Sequence, residues 1–140
     1  MSRCVPYLPS LPSLLIALAA SAPLAAHAQA DLPRPFPQNA LRGTVVFGIP
    51  PVLALNGDTA RLSPAGRIRD FDNMIVMSAT AYDRAPGKKY TVNYVLDMEG
   101  NVQTIWLLRP EEIKNKPWPT TAAEAARWSF DPAAQKWTKP

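Results

Sequence analysis

Residues 90–108 read Tyr-Thr-Val-Asn-Tyr-Val-Leu-Asp-Met-Glu-Gly-Asn-Val-Gln-Thr-Ile-Trp-Leu-Leu, two β-branched and aromatic runs around a turn-forming centre. With Met98-Glu99-Gly100 as a three-residue loop and Gly100 in the left-handed region, Asp97 faces Asn101. Stepping back from there pairs Leu96 with Val102, Tyr94 with Thr104, Val92 with Trp106 and Tyr90 with Leu108. One face of this predicted hairpin is almost wholly aromatic and branched. The other carries Thr91, Asn93, Val95, Gln103, Ile105 and Leu107, a mixed set expected to be half-buried. A slip of one residue exchanges the two faces, so burial itself pins the register.

Upstream the period remains strand-like. Residues 42–49 are rich in Thr, Val and Phe and stop at Pro50-Pro51. Residues 52–55 and 59–62 flank Asn56-Gly57, the dipeptide suited to the two positive φ angles of a type I′ turn, which predicts a tight hairpin. Ser63-Pro64-Ala65-Gly66 has the residue order of a type I turn, and Arg67-Ile68-Arg69 then alternates with Ile68 inward and both arginines outward. Within 73–80 the unbroken apolar run Met74-Ile75-Val76-Met77 predicts a strand covered on both faces. A loop over 83–88 follows, with Pro86-Gly87 as the centre of a type II turn.

Downstream, Pro110 stops the last strand and 111–116 has the composition of one helical turn. Thr121 with Glu124 forms a capping box that starts a short helix to about Trp128. Eight or so residues do not hold a helix in isolation, so Trp118, Trp128 and Phe130 are expected to dock it. The tail over 131–140 is expected to fray unless Trp137 packs.

The first thirty residues have the form of a signal peptide: Arg3, an apolar stretch at 11–20, and small residues at 26–30. Release after Ala28 and release after Ala30 both fit, the second being favoured. A spanning helix needs roughly twenty apolar residues, and this stretch is shorter and interrupted by Pro12 and Pro23. The expectation is a periplasmic or secreted chain with no stable membrane span once the signal is removed. Residues 31–40 follow as a proline-rich arm near polyproline II geometry. Residues 41–130 form one β domain with a C-terminal helix, and 131–140 the tail.

Cys4 and His27 are the only cysteine and histidine, and both lie in the leader. The exported chain therefore has no side chains for a Cys- or His-based metal site, a disulfide, a Cys nucleophile or a His-dependent triad. Without Arg3 the 15 basic residues become 14 against 11 acidic ones, a balance of +3. They are dispersed, so the clustered footprint of a nucleic-acid binder is missing and no nucleic-acid partner is expected.

The acidic pairs Asp70 and Asp72, Asp97 and Glu99, and Glu111 and Glu112 read as turn and cap residues. Asp70-Phe71-Asp72-Asn73 opens like a calcium loop but lacks that motif's later glycine and glutamate. Met74 and Met77 have the chemistry of a soft Cu(I) site, yet strand positions three apart point to opposite faces. Ser63, Ser78 and Ser129 have no histidine to activate them. Catalytic residues, metal and cofactor are accordingly all assigned as none. Partner-binding candidates are Arg61, Arg67 and Arg69, whose guanidinium groups suit anionic groups, with Tyr82 and Trp137 as the more open aromatics.

The strings Leu55-Asn56-Gly57, Arg61-Leu62-Ser63-Pro64 and Arg67-Ile68-Arg69, with the hairpin from Val92-Asn93-Tyr94 to Trp106-Leu107-Leu108, resemble small uncharacterised exported proteobacterial proteins. The resemblance covers about residues 41–112 and implies a compact β domain, with no activity, cofactor or site residue attached. Together these readings predict a mainly β fold, a small antiparallel barrel or sandwich of five to seven strands with a short C-terminal helix. The functional expectation is a non-catalytic envelope module that binds an envelope protein or extended polymer, through an open sheet edge. Its alternatives are a carboxylate-dependent enzyme on cell-wall or surface polysaccharide and a small-anion binder using the three arginines.

Overall fold

Asn56 and Gly57 take φ angles of 56° and 91°, the two left-handed positions that the type I′ turn requires. They join β2 (Val52–Leu55) to β3 (Asp58–Arg69), with Leu55 opposite Asp58. This hairpin belongs to a computed structural model that describes residues 33–140; the leader, both release sites, Asp31 and Leu32 lie outside the described residues. β1 (Leu41–Phe47) pairs with β2 on one side and with β5 (Lys89–Leu96) on the other. β5 pairs with β6 (Val102–Leu107), and β6 returns alongside β3 in parallel. The sheet closes through β2–β3 into a five-stranded barrel, every contact antiparallel except β3–β6.

Val45, Leu53, Ile68, Val92, Ile105 and Leu107 fill the barrel, and Ala81 of α1 (Ser78–Arg84) closes one end. The run around Met74 does not form the predicted strand covered on both faces. Only β4 (Ile75–Val76) pairs, with the end of β3, and Met74, Ile75 and Met77 are 65%, 61% and 76% exposed. Helix α1 follows at once, where the sequence predicted strand and loop. With one side of β3 taken by β6 and the other by β2 as far as Arg61, the run pairs only with the end of β3 at Ile68 and Arg69.

The long hairpin has the predicted turn: Gly100 has φ of 84°, and Asp97 N donates to Asn101 O at 2.8 Å. The register beyond it differs. Leu96 faces Val102 as expected, but Val95 then faces Thr104 and Tyr94 faces Ile105, so Gln103 has no partner. On the other side of β6 the pairing also jumps from Val102 to Thr104. This bulge reverses the inward parity of β6: Ile105 and Leu107 enter the barrel, whereas Trp106 and Leu108 face outward.

The outward face is not half-open. Val95 and Leu108 are covered by Phe36, Ala40, Trp118 and Trp137, which form a second apolar cluster. Trp118 Nε1 donates to Ala40 O at 3.0 Å, and its ring meets Phe36 and Trp137 edge-on, at 5.7 and 6.3 Å between centroids. The tail does not fray. β7 (Ser129–Asp131) and β8 (Lys136–Thr138) make a hairpin that turns Trp137 under the domain. The predicted small β barrel with a short C-terminal helix is thus present: among the described residues five strands close it, and three further short strands, β4, β7 and β8, lie outside it. The capping box at Thr121 and Glu124 is present and starts α3 (Ala122–Arg127), after a single turn of helix, α2 (Pro110–Ile113).

The arm over 33–40 is part of the domain rather than a lead-in to it. Phe36 sits in the second cluster, with its backbone N–H donating to Gln135 Oε1 at 2.8 Å, and Arg34 is buried. Arg42 binds the C-terminal carbonyls of α2, donating to Glu112 O, Ile113 O and Asn115 O, and lies 5.1 Å from the Trp118 ring centroid. Burial pushes its pKa down to about 10, while Glu112 acts in the other direction, so it stays a cation at neutral pH. No helix among the described residues is long and apolar enough to cross a membrane.

Candidate functional site

β2 and β4 lie along the same side of β3, because β6 occupies the other. β2 reaches Arg61 through Val52, and Leu62 N donates to Pro51 O at 2.9 Å. β4 begins only at Ile68. Among the described residues, no strand covers that side of β3 over 63–67.

The backbone there is not straight. Leu62 pairs with Val102 and Arg67 with Thr104, so residues 63–66 form a bulge inside β3, where the sequence predicted a turn ending the strand. The turn chemistry is real but is absorbed by the ladder. A Cβ on Gly66 would lie 2.7 Å from Ser63 O and from Leu62 Cγ, so glycine permits the chain to fold back this tightly.

An open groove of about 640 Å³ occupies the gap. Its floor is Leu62, Ser63 and Gly66; Pro51 and Arg61 stand at one end, Ile75, Val76 and Met77 at the other, and Glu99 and Asn101 of the β5–β6 turn beside it. Asp97 braces that turn, its Oδ1 accepting from Glu99 N and Asn101 N at 2.9 and 2.8 Å. Desolvation acts to raise its pKa, but hydrogen bonds from the backbone of Asn101 and Glu99 and from Ser63 outweigh it and hold the carboxyl below the usual range. The groove therefore has an exposed cation at Arg61 and an exposed apolar rim.

Of the predicted binding residues, only Arg61 lines the groove. Arg67 is exposed beyond the bulge, and half-buried Arg69 donates to Asn73 O at 3.0 Å, with Ile68 inward between them as predicted. The groove does not gather the three arginines. Tyr82 is half-buried against the barrel core. Trp137 is 3% exposed, so it is a core residue and not the open aromatic expected from its place in the tail. Ile75 and Met77 were missed as groove residues because an apolar run reads as buried. The available hint was methionine at both ends of that run, a residue common on adaptable binding surfaces.

Several carboxylates are engaged in local structure. Asp70 Oδ1 accepts from Asp72 N and Met74 N at 3.0 and 2.9 Å, and Asp131 Oδ1 from Ala133 N and Ala134 N. The backbone and side chain of Thr120 hold Glu124 below the usual carboxylate range, with Thr121 N adding a weaker bond. Comparison of the chain with protein-family models, curated proteins and solved structures gave no match.

Proposed function

We propose that this chain is a non-catalytic exported module that binds an extended segment of a partner protein along the groove between β2 and β4. The observation that carries the reading is the exposed apolar rim, Ile75 at 61% and Met77 at 76%, beside an exposed arginine and an uncovered strand side. Exposed apolar surface rimmed by polar groups marks interaction sites. Closure of the barrel leaves the outer side of β4 as a free edge next to this rim, where a partner strand can add. The segment suited to it has alternating apolar residues and an acidic one opposite Arg61.

The barrel order β1-β2-β3-β6-β5, with a helix between β3 and β5, follows the Greek-key plan of OB-type barrels. Such barrels take oligonucleotides and oligosaccharides on the second and third strands and the adjoining loops. Pro51, Glu99 and Asn101 belong to the corresponding loops. Fold alone does not assign the ligand. Among the described residues no aromatic ring lines this groove, which favours a polypeptide over a sugar or base that would stack. The carboxylate-enzyme and three-arginine alternatives draw less support, since among the described residues a single acid, Glu99, lines the groove and of the three arginines only Arg61 reaches it.

The test is selection of displayed peptides on the full chain, followed by binding to variants. Selected peptides should lose binding to Ile75→Asp combined with Met77→Asp, and to Arg61→Glu, but keep it with Arg67→Gln. Peptides that bind all variants equally, or turnover of a polysaccharide by the full chain, would overturn the reading.

A further inference from the structure

A second, more enclosed cavity of about 190 Å³ lies beneath α1 at the end of the barrel and shares only Val76 with the groove. Phe47, Ile68, Ala81 and Leu107 form its buried walls, with Tyr90 half-buried beside them. Its polar lining consists of Asp70 and Asp72 from one loop and Arg84 from the end of α1. Phe71, 42% exposed, completes the lining and meets Tyr90 at 6.3 Å between ring centroids.

The loop that carries these acids is held from outside the cavity. Arg34 Nη1 donates to Asp70 O at 2.9 Å, Arg109 Nε to Phe71 O at 2.6 Å and Arg69 Nη1 to Asn73 O at 3.0 Å. Asp70 Oδ1 is occupied by backbone N–H groups, and Oδ2 lies 4.0 Å from Arg84 Nη1. Arg84 is 61% exposed, so this loose pair contributes little to stability and parts at small cost. A loop already ordered before binding spares the ligand the cost of ordering it.

We propose that this cavity binds an apolar α-amino acid as its zwitterion. The side chain enters the chamber, the ammonium meets Asp70 and Asp72, and the carboxylate meets Arg84. An acid and a base adjoining an apolar chamber complement a molecule whose two opposite charges flank one apolar side chain. An apolar cavity of about 150 Å³ admits benzene, so this volume suits a branched aliphatic or single-ring side chain. A peptide terminus brings only one of the two charges beside its side chain, and so leaves half of the rim unmatched.

The experiment titrates the full chain with L-leucine and L-phenylalanine while following the NMR signals of Ile68, Ala81, Tyr90 and Leu107. Saturable shifts at those residues are expected, with none from glycine. Isoamylamine, 4-methylpentanoate and a leucine-ended peptide should each bind about tenfold more weakly, the loss of one charged hydrogen-bonded contact. Arg84→Gln, at an exposed position, should weaken leucine by about the same factor and leave isoamylamine unchanged. The proposal is overturned if leucine moves none of these signals, if the amine, the acid or the peptide binds as well as leucine, or if Arg84→Gln leaves leucine binding intact.

Discussion

Arg34 and Glu112, 78 residues apart, meet bidentately along one guanidinium edge: Nε to Oε1 and Nη2 to Oε2, both at 2.6 Å. Arg34 Nη2 also donates to Leu107 O at 2.7 Å, and Glu112 Oε2 accepts from Arg109 N at 2.8 Å. One ion pair thus ties the N-terminal arm, the end of β6, the loop after β3 and helix α2. The side chains are 9% and 14% exposed, so neither charge has much water to fall back on.

Removing one partner of such a pair strands the other, at about 3 kcal/mol. Arg34→Met and Glu112→Gln should each lower urea stability by about that amount. The double variant should lose clearly less than the two combined, because the stranded charge is then gone. Strict additivity in the denaturation midpoints would show that the pair is not a unit.

A second prediction concerns Gly43. A Cβ there would sit 2.4 Å from Asn56 Oδ1 and 2.9 Å from Tyr94 Cε1, while Asn56 Oδ1 accepts from Thr44 N at 2.9 Å. Gly43→Ala should cost about 1–3 kcal/mol by overpacking. In an Asn56→Gly background, which keeps the left-handed turn, the same change should cost less. An equal cost in both backgrounds, read from thermal unfolding, would locate the conflict elsewhere.

Trp137→Ala should cost about 3–5 kcal/mol, the range for a large aromatic removed from a core. Its effect should be regional. Amides of β7, β8 and residues 34–40 should exchange faster with solvent, while those of β1 and β5 keep most of their relative protection. Loss of protection throughout the barrel in equal measure would mean that the two clusters unfold as one.

Asp97 supplies the pH dependence. Its hydrogen bonds hold the folded-state pKa below the unfolded value, so the carboxylate's contribution is complete above the ordinary Asp range, about pH 4, and is lost as pH falls through the folded value. The stability gap between the native chain and Asp97→Asn should therefore narrow as the solution is acidified below about pH 4. A gap that stays constant or widens on acidification would contradict this sign.

The features legible in the sequence were those set by neighbours. Asn56-Gly57, Gly100 and the Thr121–Glu124 capping box each act within a few residues, and each is present as read. The alternation that puts Ile68 inward is equally local. What was not legible depends on distant partners. Arg34 looks like a charge in a proline-rich arm until Glu112 stands beside it, and Trp137 looks like a tail residue until Phe130 and Trp118 pack against it. The groove was hidden for the same reason: whether Ile75 and Met77 are covered depends on where β2 stops, which no property of residues 74–77 encodes.

Gln103 acts as a sorting device. By being skipped on both flanks, it lets one six-residue strand send slim aliphatic side chains into a narrow tube and deliver Trp106 to the outside layer. A five-stranded tube leaves little room for an indole. Pairing Gln103 in regular register would send Trp106 into the lumen and Ile105 and Leu107 out of it, whereas deleting it would straighten the strand and keep the present facings, so the skipped position matters more to the architecture than the identity of the amide that sits there.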